Sequence, residues 1–137
     1  MKFAIIGGDL RIVKLADMLS KENNEIYVYG LEKAEDLKNN SNIIQCDTLK
    51  KAIQDVEIVI GPIPFSSNGN TVNAPFSEKE ITIREMMHVI NAKVLIAGGI
   101  YPEVYGMAND EYVEIVDIMN QEKNILEDQR KIAKAKK

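Results

Sequence analysis

Residues 3–6 form an unbroken apolar run that stops at Gly7-Gly8, and beyond it the pattern changes period. From Leu10 to Lys21 the apolar positions Ile12, Leu15, Ala16 and Leu19 recur at helical spacing, so a strand followed by a helix is predicted. The stretch EIYVYG (25–30), rich in aromatic and β-branched residues, predicts a second strand. The polar segment LEKAEDLKNN reads as a short helix or turn, and NIIQC (42–46) as a minor strand. A helix capped by Asp47 or Thr48 then runs to about Gln54. VEIVIG (56–61), AKVLIAGG (92–99) and EYVEIVDIM (111–119) complete the strands. Before the penultimate strand, Ser77/Glu80 and Thr82/Glu85 both spell a capping box, and the alternation of Ile81 and Ile83 favours Thr82 as the cap. The helix it opens presents Ile83, Met86, Met87 and Ile90 as a core stripe.

Strands alternating with helices predict an α/β doubly wound fold, Rossmann- or flavodoxin-like. The expected sheet is mostly parallel and five-stranded, with helices on both faces. Residues 1–119 form one domain, and 120–137 a charged helical tail. Ile125, Leu126, Ile132 and Ala133 give that tail a thin apolar stripe. Chain ends are commonly less ordered, and mobility is expected beyond Gln129.

Composition narrows the partners. The chain has 137 residues, 17 Lys+Arg against 21 Asp+Glu, and a net charge of −4, so no basic stripe is available for nucleic acid. Its 45% hydrophobic and 28% charged content is that of an ordinary soluble globule. No apolar stretch approaches the ~20 residues needed to cross a bilayer, and no signal-peptide pattern opens the chain. The single cysteine, Cys46, leaves no internal disulfide and fits a reducing compartment. A cytoplasmic protein is expected.

Gly7-Gly8, Gly30, Gly61 and Gly98-Gly99 each close a predicted strand. In an open parallel sheet the crevice outside the carboxyl ends of the strands is where ligands bind, although glycine there also serves plain turns. The dinucleotide fingerprint G-x-G-x-x-G fails from Gly7, because Asp9 and Ile12 stand where glycine is required. Asp9 suits an N-cap instead. Arg11 follows in the first helical turn, either as a solvated side chain or as a guanidinium that holds a carboxylate above the strand ends. The sequence PIPFSSNGNTVNAPFSEKE (62–80) is a long loop stiffened by Pro62, Pro64 and Pro75, with Ile63, Phe65, Val72 and Phe76 to anchor it. Leaving a central strand, it should lie over the same edge. Its hydroxyls and amides suit a small polar ligand or the turn at Asn68-Gly69. The candidate substrate-binding residues are Gly8, Arg11, Ser66, Ser67, Asn68, Thr71, Gly98 and Gly99.

Catalytic chemistry is not legible. His88, the one histidine, shares a face with Arg84 and Asn91 away from the apolar stripe. No serine stands in a nucleophile elbow, and too few Cys and His residues exist for a zinc site. Neither a metal nor a cofactor is expected on this chain.

Three stretches in order, IIGGDLR, IGPIPFSSNGNTVNAPFS and LIAGGI, resemble the N-terminal domain of the dipicolinate synthase A-subunit family over residues 1–119. The resemblance implies an α/β fold and the making of dipicolinate, a spore-core dicarboxylate, from a lysine-pathway intermediate. It also implies a nicotinamide cofactor (NADP) on a further Rossmann domain carrying the Gly-rich fingerprint, a second, flavoprotein-like subunit as partner, and the mother-cell cytoplasm as location. The continuation NQEKNILEDQRKIAKAKK departs from that plan, so this chain alone is expected to be inactive and not to bind NADP. Two readings stand. One is the substrate-side domain of such a synthase, whose partners are a small dicarboxylate and the flavoprotein-like subunit or a second copy. The other is a stand-alone, non-catalytic carboxylate-binding or regulatory module.

Overall fold

The computed structural model describes residues 1–119, and the expectations for the tail lie outside the described residues. Ten regular elements alternate: β1 (Lys2–Ile6), α1 (Leu10–Ser20), β2 (Glu25–Tyr29), β3 (Ile43–Gln45), α2 (Leu49–Ile53), β4 (Ile58–Ile60), α3 (Ile83–Val89), β5 (Val94–Ala97), α4 (Pro102–Asp110) and β6 (Glu114–Asp117). A 3-10 turn, Glu35–Leu37, stands in the polar segment after β2. The strands form one sheet in the order β3-β2-β1-β4-β5-β6, and every neighbouring pair is parallel. The α/β doubly wound architecture is as the periodicity predicts.

Among the described residues the sheet has six strands rather than the expected five, and every pairing is parallel. The strand beyond the expected five is β3, within the stretch read as a minor strand, and it pairs with β2 at the sheet edge. Of its three residues Ile43 alone is buried, while Ile44 and Gln45 face solvent, so its sequence signal is weak. Helix α4 is a further addition. It starts at Pro102, which suits a first helical position because its missing N–H has no intrahelical partner to lose. It buries only Val104 and Ala108, too few positions to print a stripe on the sequence.

Alternation along β1 divides the core. Ala4 and Ile6 belong to the larger apolar cluster with residues of α2, α3 and α4, and Ile5 to the smaller one with Ile12, Val13 and Ala16 of α1. Helices therefore cover both faces, as the two-sided burial of parallel strands demands. The helix starts follow their caps: Thr48 Oγ1 accepts from Lys51 N and Thr82 Oγ1 from Glu85 N, each at 3.2 Å. Both bonds satisfy amides that the first turn leaves unpaired. The strand order reverses between β1 and β4, since β2 and β3 extend to one side of β1 and β4 to β6 to the other. A crevice opens outside the carboxyl ends of two such strands. Among the described residues no helix is long and apolar enough to cross a membrane.

Candidate functional site

Two segments leave the reversal point: the turn from β1 into α1, and the strap of residues 62–80 that leaves β4. Gly7 (φ 67°) and Gly8 (φ 104°) adopt left-handed backbone that disfavours any side chain. A Cβ at Gly8 would also lie 2.4 Å from Ile12 Cγ1, and one at Gly7 would lie 2.8 Å from the Asn73 carbonyl oxygen. The paired glycines therefore let α1 and the strap close on the end of β1. The strap takes up the amide that a phosphate would use: Gly8 N donates to Asn73 O at 2.9 Å.

Asp9 caps α1, its Oδ1 accepting from Arg11 N at 3.0 Å. The same carboxylate accepts from the Arg11 side chain, from Nε at 3.1 Å and from Nη2 at 3.0 Å. Arg11 Nη2 also donates to Ile63 O at 2.7 Å, which ties the guanidinium to the strap. The Arg11 hydrogen bond is the main reason the Asp9 carboxyl lies below its ordinary pKa, and the same bond pushes the guanidinium's upward. Arg11 stays charged and 71% exposed, steered by three fixed acceptors while its Nη1 group makes no hydrogen bond to the described residues.

Around it lies an open groove of about 510 Å³, lined on one side by Gly8, Asp9 and Arg11 and on the other by Pro62, Ile63 and Pro64. Residues Thr71 to Pro75 of the strap form its remaining wall. The wall is anchored from beneath by Phe65 and Val72, both buried in the larger core cluster. Phe65 N donates to Gly98 O at 2.6 Å, and Phe65 O accepts from Asn73 N at 2.9 Å. The Ile63-Pro64 peptide is cis. The groove thus joins one cation to rigid, mostly apolar prolyl walls, a combination suited to an anionic ligand with a flat or apolar body.

Of the eight candidates from the sequence, Gly8, Arg11 and Thr71 line this groove. Ser66, Ser67 and Asn68 lie outside its lining and serve the strap. Ser66 Oγ accepts from Gly69 N at 2.9 Å, Asn68 Oδ1 from Asn70 N at 2.8 Å and Thr71 N at 2.9 Å, and Ser67 Oγ donates to Asn73 Oδ1 at 2.9 Å. Gly98 and Gly99 close β5, also outside the lining. A Cβ at Gly98 would lie 2.8 Å from Ile63 Cγ2, and Gly99 N donates to Asp117 Oδ1 at 3.1 Å.

Three residues outside the eight candidates shape the site, and of these only Asn73 belongs to the loop amides that the sequence pointed to. Asn73 lines the groove and joins it at both ends, with its carbonyl on Gly8 N and its Nδ2 on Pro64 O at 2.8 Å. The buried Asp117 carboxylate holds the β5–α4 turn through Gly99 N and Ile100 N. Glu32, after β2, accepts from Gly30 N at 3.0 Å and Glu78 N at 2.7 Å. The pairing of Glu32 with Glu78 joins residues far apart in the chain, and no spacing rule reports it. The strand-into-helix turn with an acidic residue after β2 was the available signal.

Other chemistry is thin. His88 is exposed on α3, beside a shallow depression shared with Arg84, Asp110 and Glu111. Cys46 is half-buried and free, and burial pushes its thiol pKa up, away from reactive thiolate. Among the described residues no three His, Cys, Asp or Glu side chains gather to hold a metal. A dinucleotide fits the β1 turn poorly: the Gly8 amide is taken, and the Asp9 carboxylate occupies the helix start where a pyrophosphate would sit.

Residues 2–119 match the family model for the N-terminal domain of the dipicolinate synthase A-subunit. The dipicolinate synthase A-subunit of Bacillus subtilis (strain 168) is 22% identical over 85 residues, covering 62% of this chain and 28% of that protein. The crystal structure of the dipicolinate synthase A chain from Bacillus subtilis superposes with a TM-score of 0.72 at 19% identity, over 86% of this chain and 40% of that one. The corresponding crystal structure from Bacillus halodurans gives 0.73 at 18% identity, over 89% and 42%. At these identities the structural likeness is one of fold. The chain spans less than half the length of each of these relatives.

Proposed function

The chain belongs to the family of dipicolinate synthase A-subunit N-terminal domains, and on that premise we propose that it is the substrate-side domain of a dipicolinate-forming enzyme of sporulation. Its groove over β1 and β4 holds a small dicarboxylate, the lysine-pathway intermediate or the dipicolinate made from it. The observation that carries this reading is Arg11, a cation fixed by Asp9 and Ile63 O at the point where the strand order reverses.

The chain's own residues bind and orient. The Nη1 donors of Arg11 are the free arm of the guanidinium and take one carboxylate of the ligand by charge-assisted hydrogen bonds. Because Nε and Nη2 are already engaged, little side-chain freedom remains to be lost on binding. The prolyl walls at 62, 64 and 75 give the ligand's body a stiff apolar surface. A nicotinamide group, held outside the β1 turn on a separate domain or partner chain, would exchange hydride with the bound substrate.

Calorimetry with dipicolinate on the full chain and on Arg11→Ala tests the reading. Saturable binding should weaken about ten- to a hundredfold in the variant, as expected for a lost charge-assisted contact. Equal affinities would remove Arg11 from the site, and no binding to either would remove the function.

A further inference from the structure

A second acidic residue controls the groove without lining it. In dinucleotide-binding sheets of this strand order, the pyrophosphate lies over the Gly-rich turn after β1, and an acidic residue beyond β2 takes the ribose hydroxyl. This fold keeps both positions and gives both to its own strap. Gly8 N donates to Asn73 O, and further along the strap Lys33 N donates to Phe76 O at 2.9 Å. Glu32 stands beyond β2, and its two carboxylate oxygens divide their work: Oε1 accepts from Gly30 N and Oε2 from Glu78 N. The strap thus crosses the carboxyl ends of β1 and β2 where a nucleotide would otherwise lie.

The crossing has a consequence for the groove. Thr71 to Pro75 are its wall, and Phe76, the next residue, and Glu78, two further on, are pinned beside β2. The wall is fixed at its start by Phe65 and Val72, which are buried, and at its end by two bonds from beside β2, Lys33 N on Phe76 O and Glu32 on Glu78 N. Glu78 itself is exposed, so its amide bond to Glu32 carries the pinning at that residue. A half-buried carboxylate accepting two amides is worth more than a neutral pair, because the acceptor is ionised.

We propose that Glu32 is a positioning residue for the groove. By clamping Gly30 N–H on the sheet to Glu78 N–H on the strap, it holds the Thr71–Pro75 wall at the separation from Arg11 that a carboxylate ligand needs. The ligand half rests on the function proposed above, whereas the clamp itself does not.

The test compares the full chain with Glu32→Gln and Glu32→Ala, by amide hydrogen exchange without ligand and by calorimetry with dipicolinate. Glutamine keeps one acceptor oxygen and alanine keeps none. The Gly8 and Glu78 amides should exchange at least about tenfold faster in Glu32→Ala, with Glu32→Gln between it and the parent. Affinity should fall in the same order, while the thermal midpoint stays near the parent's. A purely structural role would speed exchange at Glu78 and leave affinity unchanged, and that result overturns the proposal. Unchanged Gly8 exchange in Glu32→Ala overturns it as well. Failure of the parent chain to bind dipicolinate would refute the function reading and the ligand half with it, distinguishably from either of these.

Discussion

Phe65 is the residue through which the strap is joined to the core, and replacing it with alanine separates a structural wall from a loosely laid loop. The ring is fully buried in the larger cluster with Ala4, Val59 and Leu95. A Cβ at Gly61 would lie 2.9 Å from its Cδ1, so the ring fills the space directly over the end of β4. Truncating a buried phenylalanine costs about 3–5 kcal/mol, the lost transfer energy plus the cavity left behind. Were the strap an independent flap, it would detach and the loss would be confined to a local opening. Since Phe65 shares its cluster with three sheet strands, the cost falls on global unfolding instead. For a domain of this size that corresponds to a fall in Tm of roughly 10–20 °C. Phe65→Leu, which keeps most of the volume, should lose only about 1–2 kcal/mol. Thermal and urea denaturation of the three proteins measure this. A midpoint for Phe65→Ala within about 3 °C of the parent would refute the claim that the strap is core-anchored.

Two further predictions follow from the β1 turn. NADPH titrated by fluorescence should show no saturable micromolar binding, because Gly8 N–H is bonded to Asn73 O and Asp9 stands at the helix start; tight binding would contradict that geometry. The Asp9 carboxyl, held below its ordinary value chiefly by Arg11, should contribute stability that is present above about pH 4 and is lost as pH falls through its lower folded value. Carboxyl NMR should find Asp9 titrating low in the parent and moving upward in Arg11→Ala, and an unmoved titration would deny the ion pair.

How much of this was legible depends on how local each cause is. Asp9, Thr48 and Thr82 cap their helices through side chains two or three residues from the amides they satisfy, so a short motif carries the information. Runs such as 56–61 and 92–99 show as strands because parallel strands are apolar on both faces. The edge strand β3 buries so little that it reads only as a minor strand, and helix α4 buries too little to leave a pattern. That the long loop lies over the strand ends followed from its leaving a central strand. That Asn73 O would take the Gly8 amide did not, nor did the clamp between Glu32 and Glu78, since each joins distant segments through main-chain groups that any residue possesses. Asp117 is one of 21 acidic residues in the sequence, and only burial reveals it as the acceptor for Gly99 N and Ile100 N.

The central claim, a carboxylate groove at the reversal point of the sheet, is tested most directly by titrating the isotope-labelled full chain with dipicolinate and following its amide resonances. Saturable shifts should concentrate at Gly8, Asp9, Arg11, Asn73 and Ala74, the residues that face one another across the groove. Shifts gathered instead at Arg84, His88 and Asp110 between α3 and α4, or no saturable shifts at all, would contradict it.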